Sequence, residues 1–156
     1  MAKFPTEVER SVTAKVPLAR AYAYFWDVVG SSECIPGIDS CKRVGDDTYR
    51  FLYKERSSGP VSMTVQYTAQ YEGNGTDKIS FEGTNAKGDN TEVSGVIKLQ
   101  PSGSEATKIS LRQTLAPDTP VPRLLQGFLK SYVEKEAAEA LKQFLANVKR
   151  RLEAGT

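Results

Sequence analysis

Histidine is absent from this chain, and the omission narrows its chemistry more than any residue present does. Without it there is no ordinary general base near neutral pH, no usual partner for a serine or cysteine nucleophile, and none of the commonest metal ligand. Cysteine is nearly absent too: Cys34 and Cys41 are too few for a disulfide scaffold or an all-cysteine zinc site. Their spacing is not Cys-x-x-Cys, so they read as small buried hydrophobes rather than as a redox pair or metal ligands. Neither sign of charge prevails, since 21 Lys and Arg face 19 Asp and Glu, and a net charge of +2 gives no reason to expect nucleic acid as a partner. No apolar run approaches the roughly 20 residues that span a bilayer, which excludes an integral membrane helix. The opening Met1-Ala2-Lys3-Phe4-Pro5 has no apolar secretory stretch. A cytoplasmic protein is expected, with no metal, no cofactor and no nominated catalytic residue. Repeats and low-complexity tracts are also missing.

What the chain does have is alternation. Val61, Met63, Val65, Tyr67, Ala69 and Tyr71 interleave with Ser62, Thr64, Gln66, Thr68 and Gln70, the period of a strand whose two faces meet different surroundings. Six more strands are expected near residues 7–14, 38–44, 48–56, 78–83, 91–100 and 106–115, separated by Gly-, Asn-, Asp- and Pro-rich turns such as Gly45-Asp46-Asp47 and Gly73-Asn74-Gly75. Such short connections favour antiparallel neighbours, because parallel ones need long crossovers. Pro17 opens a helix that is apolar on two adjacent stripes and ends at Gly30; one more short turn precedes Ile35-Pro36-Gly37. A long helix is expected from about Pro120 to Leu152, with Leu125, Phe128, Leu129, Tyr132, Ala140, Leu141, Phe144 and Val148 on one side. A chain of 156 residues suffices for one domain that buries roughly 70% of its unfolded surface. The layout is α+β: a seven-stranded curved antiparallel sheet closed by a terminal helix.

This order of elements, together with Val16-Pro17, Ala21-Tyr22, Asp27, Cys34-Ile35-Pro36-Gly37, Val44-Gly45-Asp46-Asp47-Thr48-Tyr49 and Gly59-Pro60-Val61, resembles the helix-grip superfamily of START-type lipid carriers, polyketide cyclases and plant pathogenesis-related proteins. Within it the chain looks most like the CoxG-like group, proteins that resemble accessory components of carbon monoxide dehydrogenase. The resemblance covers residues 8–152 and implies a cavity between sheet and last helix that holds a small apolar or amphipathic molecule: a lipid, or a quinone-like or polyketide-like compound.

Strand alternation then nominates the lining. Val8, Tyr49, Phe51, Tyr53, Met63, Val65, Tyr67, Phe81, Val93, Ile97, Ile109 and Leu111 face inward, opposite Leu125, Phe128, Leu129 and Tyr132. Arg10, Glu55 and Gln113 fall on the same faces. Arg10 is either an anchor for a ligand oxygen or a sheet-end cation paired with Glu55 or Glu136, and Glu55 and Gln113 are either polar lining or strand-end rim. Tyr71, at a strand end, reads as an edge residue. Asp46-Asp47 is turn chemistry, and Lys149, Arg150 and Arg151 complement the helix dipole. Three functions remain open: a non-catalytic carrier; a cyclase or dehydratase using Glu55, a tyrosine or Arg10-polarised water; and an accessory factor of an oxidoreductase, with no protein partner specified.

Overall fold

The computed structural model describes residues 2, 3, 5–58, 61–119 and 123–155, and the backbone alone for Ala2, Lys3, Ser58, Val61, Met63, Thr119, Arg123 and Leu129. Ten strands and three helices follow in chain order: β1 (Ala2–Lys3), β2 (Thr6–Ala14), α1 (Leu18–Trp26), α2 (Val28–Ser32), β3 (Ile38–Gly45), β4 (Thr48–Tyr53), β5 (Arg56–Ser58), β6 (Val61–Met63), β7 (Gln66–Gly73), β8 (Lys78–Gly83), β9 (Thr91–Pro101), β10 (Thr107–Thr119) and α3 (Gln126–Glu153). A single 3-10 turn, Arg123–Leu125, leads into α3.

Strands β3, β4, β7, β8, β9 and β10 lie side by side, and β1 and β2 both pair with β10, one after the other, on its free side. Counted as one interrupted strand, β1 and β2 complete a seven-stranded sheet. Every pairing is antiparallel. The expected α+β helix-grip architecture is therefore the observed one. Because directly paired residues share a face, the registers Phe51 with Tyr67, Tyr71 with Phe81 and Ile97 with Leu111 collect the apolar residues on the concave side. There they meet α3, whose buried positions Val133, Leu141, Leu145, Val148 and Leu152 recur at helical spacing. At 28 residues and 1.5 Å each, α3 is about 42 Å long.

Three expectations need correction. The alternating run 61–71 is not one strand, since Thr64 and Val65 fall between β6 and β7. Asn90 explains the break: its Oδ1 accepts from the Gln66 N–H at 2.9 Å, and its Nδ2 donates to the Thr64 carbonyl at 2.6 Å. A side chain thus takes over backbone groups that a ladder partner would otherwise satisfy. The run 48–56 breaks likewise after Tyr53, so β5 and β6 form a separate two-stranded ribbon. Gly30 does not end a helix; α1 stops at Asp27, whose Oδ1 accepts from the Gly30 N–H at 3.2 Å and caps α2. A methyl group at residue 30 would lie 2.2 Å from the Asp27 Oδ2, so glycine is what lets this cap close. The expected turn at Gly59-Pro60 and the expected helix start at Pro120 lie outside the described residues.

Arg56 fastens the ribbon to the rest of the molecule. Its guanidinium ion-pairs with Glu136 of α3 and packs over Gly37, where a Cβ would lie 2.7 Å from Nη2.

Candidate functional site

One transverse row across the concave face builds the floor of a cavity. Tyr71 pairs with Phe81, Phe81 with Gly95, and Gly95 with Gln113, from β7 through β8 and β9 to β10. The absence of a side chain at Gly95 lets the Phe81 ring lie down over the sheet: a Cβ there would sit 2.3 Å from the ring. Phe81 then stacks on Tyr71, centroids 5.1 Å apart and planes inclined by 23°. In the neighbouring rows Phe51 stacks on Tyr67 at 4.9 Å, and Tyr53 leans on Tyr67 at 5.8 Å.

The roof comes from α3 through Ala137, Ala140, Leu141 and Phe144, and one wall from Phe25, Val28, Ser31, Ser32 and Ile35 of the early helices and the turn that follows. The two alanines matter because longer side chains there would take up space in the cavity they line. What is left between floor and roof is a partly open cavity of about 100 Å³. The shell is thus mostly filled by its own aromatic rings.

Among the described residues the lining carries no charged side chain. Its polar groups are phenols, hydroxyls and one carboxamide. The Tyr53 and Tyr67 hydroxyls are hydrogen-bonded to each other at 2.9 Å, so one of their two protons is used and the other is free to be donated. Ser31 and Ser32 donate back to the carbonyls of Val28 and Val29 at 3.3 and 2.6 Å. The Tyr71 hydroxyl and the Gln113 carboxamide have no hydrogen-bond partner among the described residues, although both line the cavity. Burial pushes the Tyr53 phenol up to about 12, and raises Tyr67 and Tyr71 well above the ordinary range. All three are neutral donors at physiological pH.

Of the residues nominated from sequence, Phe51, Tyr53, Tyr67, Phe81 and Gln113 line this cavity together with Ile97 and Leu111. Tyr71 does so as well, and is not an edge residue: it is held between Tyr49, edge-on at 5.6 Å, and Phe81. Tyr49 itself stands behind Tyr71 and does not reach the cavity. Val65 falls in the break before β7 and is not part of the lining. Arg10 keeps the inward register opposite Leu111, yet its head is exposed and donates to the Glu9 carbonyl at 2.8 Å. It lies in a groove between β2 and the last turns of α3, because β2 is an edge strand that the cavity does not reach. Neither expected partner holds it, since Glu136 takes Arg56 and Glu55 is exposed in the bend between β4 and β5.

The helix residues nominated as roof are displaced from it. Phe128 is 45% exposed, and Leu125 and Tyr132 do not line the cavity. Four residues on from Tyr132, their stripe runs into Glu136, and Glu139 and Gln143 continue it, whereas the stripe through Val133, Ala137 and Leu141 faces the sheet. The side chains of Met63 and Leu129 lie outside the described residues. Sequence reasoning did not nominate the wall residues of α1 and α2 as lining and missed Ala137; it put Ala140, Leu141 and Phe144 on the apolar side of the last helix without assigning them to the roof. Small residues at helical spacing on a buried face were the available signal.

Elsewhere the surface offers less. A larger depression of about 580 Å³ on the outer face of the sheet is open and lined chiefly by polar and acidic side chains, including Glu7, Glu72 and Glu82. Cys34 is buried against the Tyr24 hydroxyl at 3.0 Å, and both cysteines are free thiols. No helix among the described residues is long and apolar enough to cross a membrane, and no cluster of metal-ligating side chains occurs among them.

Comparison with known proteins places this geometry. The family model described as polyketide cyclase/dehydrase and lipid transport matches residues 5–153. No curated protein matches the sequence. Among solved structures, a START superfamily protein from Mycobacterium smegmatis is similar with a TM-score of 0.74 at 14% identity, over 96% of this chain and 99% of that one. The Zhui aromatase/cyclase from Streptomyces sp. R1128 superposes with a TM-score of 0.65 at 16% identity, over 97% and 98% of the two chains. A protein from Deinococcus radiodurans, 22% identical, covers 97% of this chain and 100% of its own with a TM-score of 0.66. At these identities the likeness establishes the fold alone.

Proposed function

Because this chain belongs to the polyketide cyclase/dehydrase and lipid-transport family, we propose that it binds a small hydrophobic or amphipathic ligand between sheet and α3, as a binder or carrier rather than as a catalyst. The observation that carries the reading is a cavity floored by stacked rings and roofed by Ala137 and Ala140, in which the Tyr71 hydroxyl and the Gln113 carboxamide are left without partners. Both residues are half-buried, so these two groups can pair with whatever occupies the cavity, water or ligand. Apolar walls with a few orienting polar groups are the usual construction of small-molecule sites.

The cyclase-type alternative needs a group to accept a proton. Glu55 is exposed in the bend after β4, and the described lining holds phenols kept protonated by burial but no carboxylate. The balance therefore favours carriage. Ligand-observed NMR with toluene, combined with mass spectrometry of material extracted from natively purified protein, tests the proposal. Saturable toluene uptake that Ala140→Phe abolishes is the expected result. An empty extract together with no uptake by the folded wild type would defeat it.

A further inference from the structure

The volume, the charge and the free hydrogen-bonding groups of the cavity constrain what can occupy it. An apolar cavity of about 150 Å³ is enough to take up benzene, so about 100 Å³, open on one side, has room for no more than one ring and not for a fused polycycle or a long acyl chain. The floor is built of stacked aromatic rings, Tyr71 with Phe81 and Phe51 with Tyr67, which suits an aromatic guest. Tyr71 and Gln113 belong to the same transverse row, three strand steps apart, or about 14 Å between backbones. The aromatic floor thus has a donor at one end and a donor-acceptor amide at the other. A guest lying on it finds hydrogen-bonding groups only towards its edges.

No described lining residue supplies a counter-charge. An ionised carboxylate or ammonium entering here would shed its hydration and meet only neutral dipoles, a loss that such groups do not recover. Arg10, and Lys142 and Lys149 of α3, do not help, because they open onto the separate groove beside β2.

We infer that the site selects an uncharged single-ring compound bearing a hydroxyl or carbonyl oxygen, which hydrogen-bonds to the Gln113 carboxamide or the Tyr71 hydroxyl while its ring packs among the aromatic side chains of the cavity. This rests on the binding reading above and narrows it to a chemical class. The tyrosine pair Tyr53 and Tyr67 provides one further proton for the same oxygen or for a second one.

The test is a panel of matched compounds titrated against the intact chain by ligand-observed NMR: toluene, benzyl alcohol, acetophenone, benzoate, benzylammonium and 2-naphthol. Benzyl alcohol and acetophenone are expected to bind about three- to tenfold more tightly than toluene, the ratio that one net hydrogen bond supplies. Benzoate and benzylammonium should bind more weakly than toluene, and 2-naphthol more weakly than benzyl alcohol. In Gln113→Leu and Tyr71→Phe, which keep the shapes of their side chains, the ratio of benzyl alcohol to toluene affinity should fall towards one in at least one of the two. Equal or tighter binding of benzoate or benzylammonium overturns the inference, as does a ratio near one in the wild type or an undiminished ratio in both variants. Those results leave the binding reading standing, whereas failure of every compound to bind removes both.

Discussion

Gly95→Ala is the substitution that probes the floor of the cavity most directly. The added methyl would stand 2.3 Å from Cζ and 2.8 Å from Cε2 of Phe81, and 2.8 Å from the carbonyl oxygen of Arg112. The carbonyl belongs to the paired backbone of β10 and cannot retreat without disturbing the ladder. The ring is 7% exposed and is held on its other side by Tyr71, so it has to tip upward into the cavity. Overpacking of this kind costs about 1–3 kcal/mol, which for a chain of this size lowers Tm by about 2–4 °C per kcal/mol. Urea unfolding at a shared m value measures it. A Phe81→Ala background separates the two clashes. Alone, that truncation costs about 3–5 kcal/mol; with it, the ring contact vanishes while the contact with Arg112 persists. The double variant should then be less destabilised than the sum of the singles by about 1 kcal/mol, within the usual range for touching residues. Additivity to within about 0.5 kcal/mol would mean that the ring does not rest on Gly95, and the account of the floor would be wrong. Toluene uptake should also fall in Gly95→Ala, since the tipped ring takes up the space.

Alkaline pH should unfold the protein through its buried phenols. Tyr53 is raised from 10.0 to about 12, and a group whose folded value lies above its unfolded one contributes fully below the lower value and loses that contribution as pH climbs through the higher. The urea midpoint should therefore fall between pH 10 and 12, more shallowly in Tyr53→Phe; identical slopes would contradict the burial argument. Asn90→Ala removes the acceptor of the Gln66 N–H and the donor to Thr64, and should cost about 1–3 kcal/mol in denaturant melts; a neutral effect would show that water replaces it freely. Arg56→Ala breaks a half-exposed ion pair worth at most about 1 kcal/mol, yet it should speed amide exchange in β5 and β6 markedly, because that ribbon is paired to no other strand. Unchanged exchange would place the fastening elsewhere.

The fold was legible because its signals are periodic. Alternation identified the faces of β2, β4, β7, β9 and β10, and the register that puts Gln113, Phe51 and Tyr67 on one surface follows from period two alone. What alternation could not register were interruptions made by side chains: Asn90, 26 residues on, ends the pairing at Thr64, and Asp27 caps the next helix by accepting from Gly30. The roof was misplaced by two to three turns because Leu125, Phe128 and Tyr132 look more like lining than Ala137 and Ala140 do. Helical spacing specifies a stripe but not where along a long helix the sheet lies beneath it. Arg10 shows the complementary limit, since its face was right and its position at the sheet edge was not recoverable from its own strand.

Early and late parts of the chain are tied together: the Lys15 N–H donates to Glu153, 138 residues away, and the Thr107 hydroxyl to the Val16 carbonyl, 91 residues away. During synthesis β2 emerges about a hundred residues before its partner β10, so it waits with that pairing edge bare. Such non-local closure is slow and leaves nascent chains sticky. Loss of the last turn of α3, which carries Glu153, should therefore loosen the end of β2 at Lys15 as well as the helix itself.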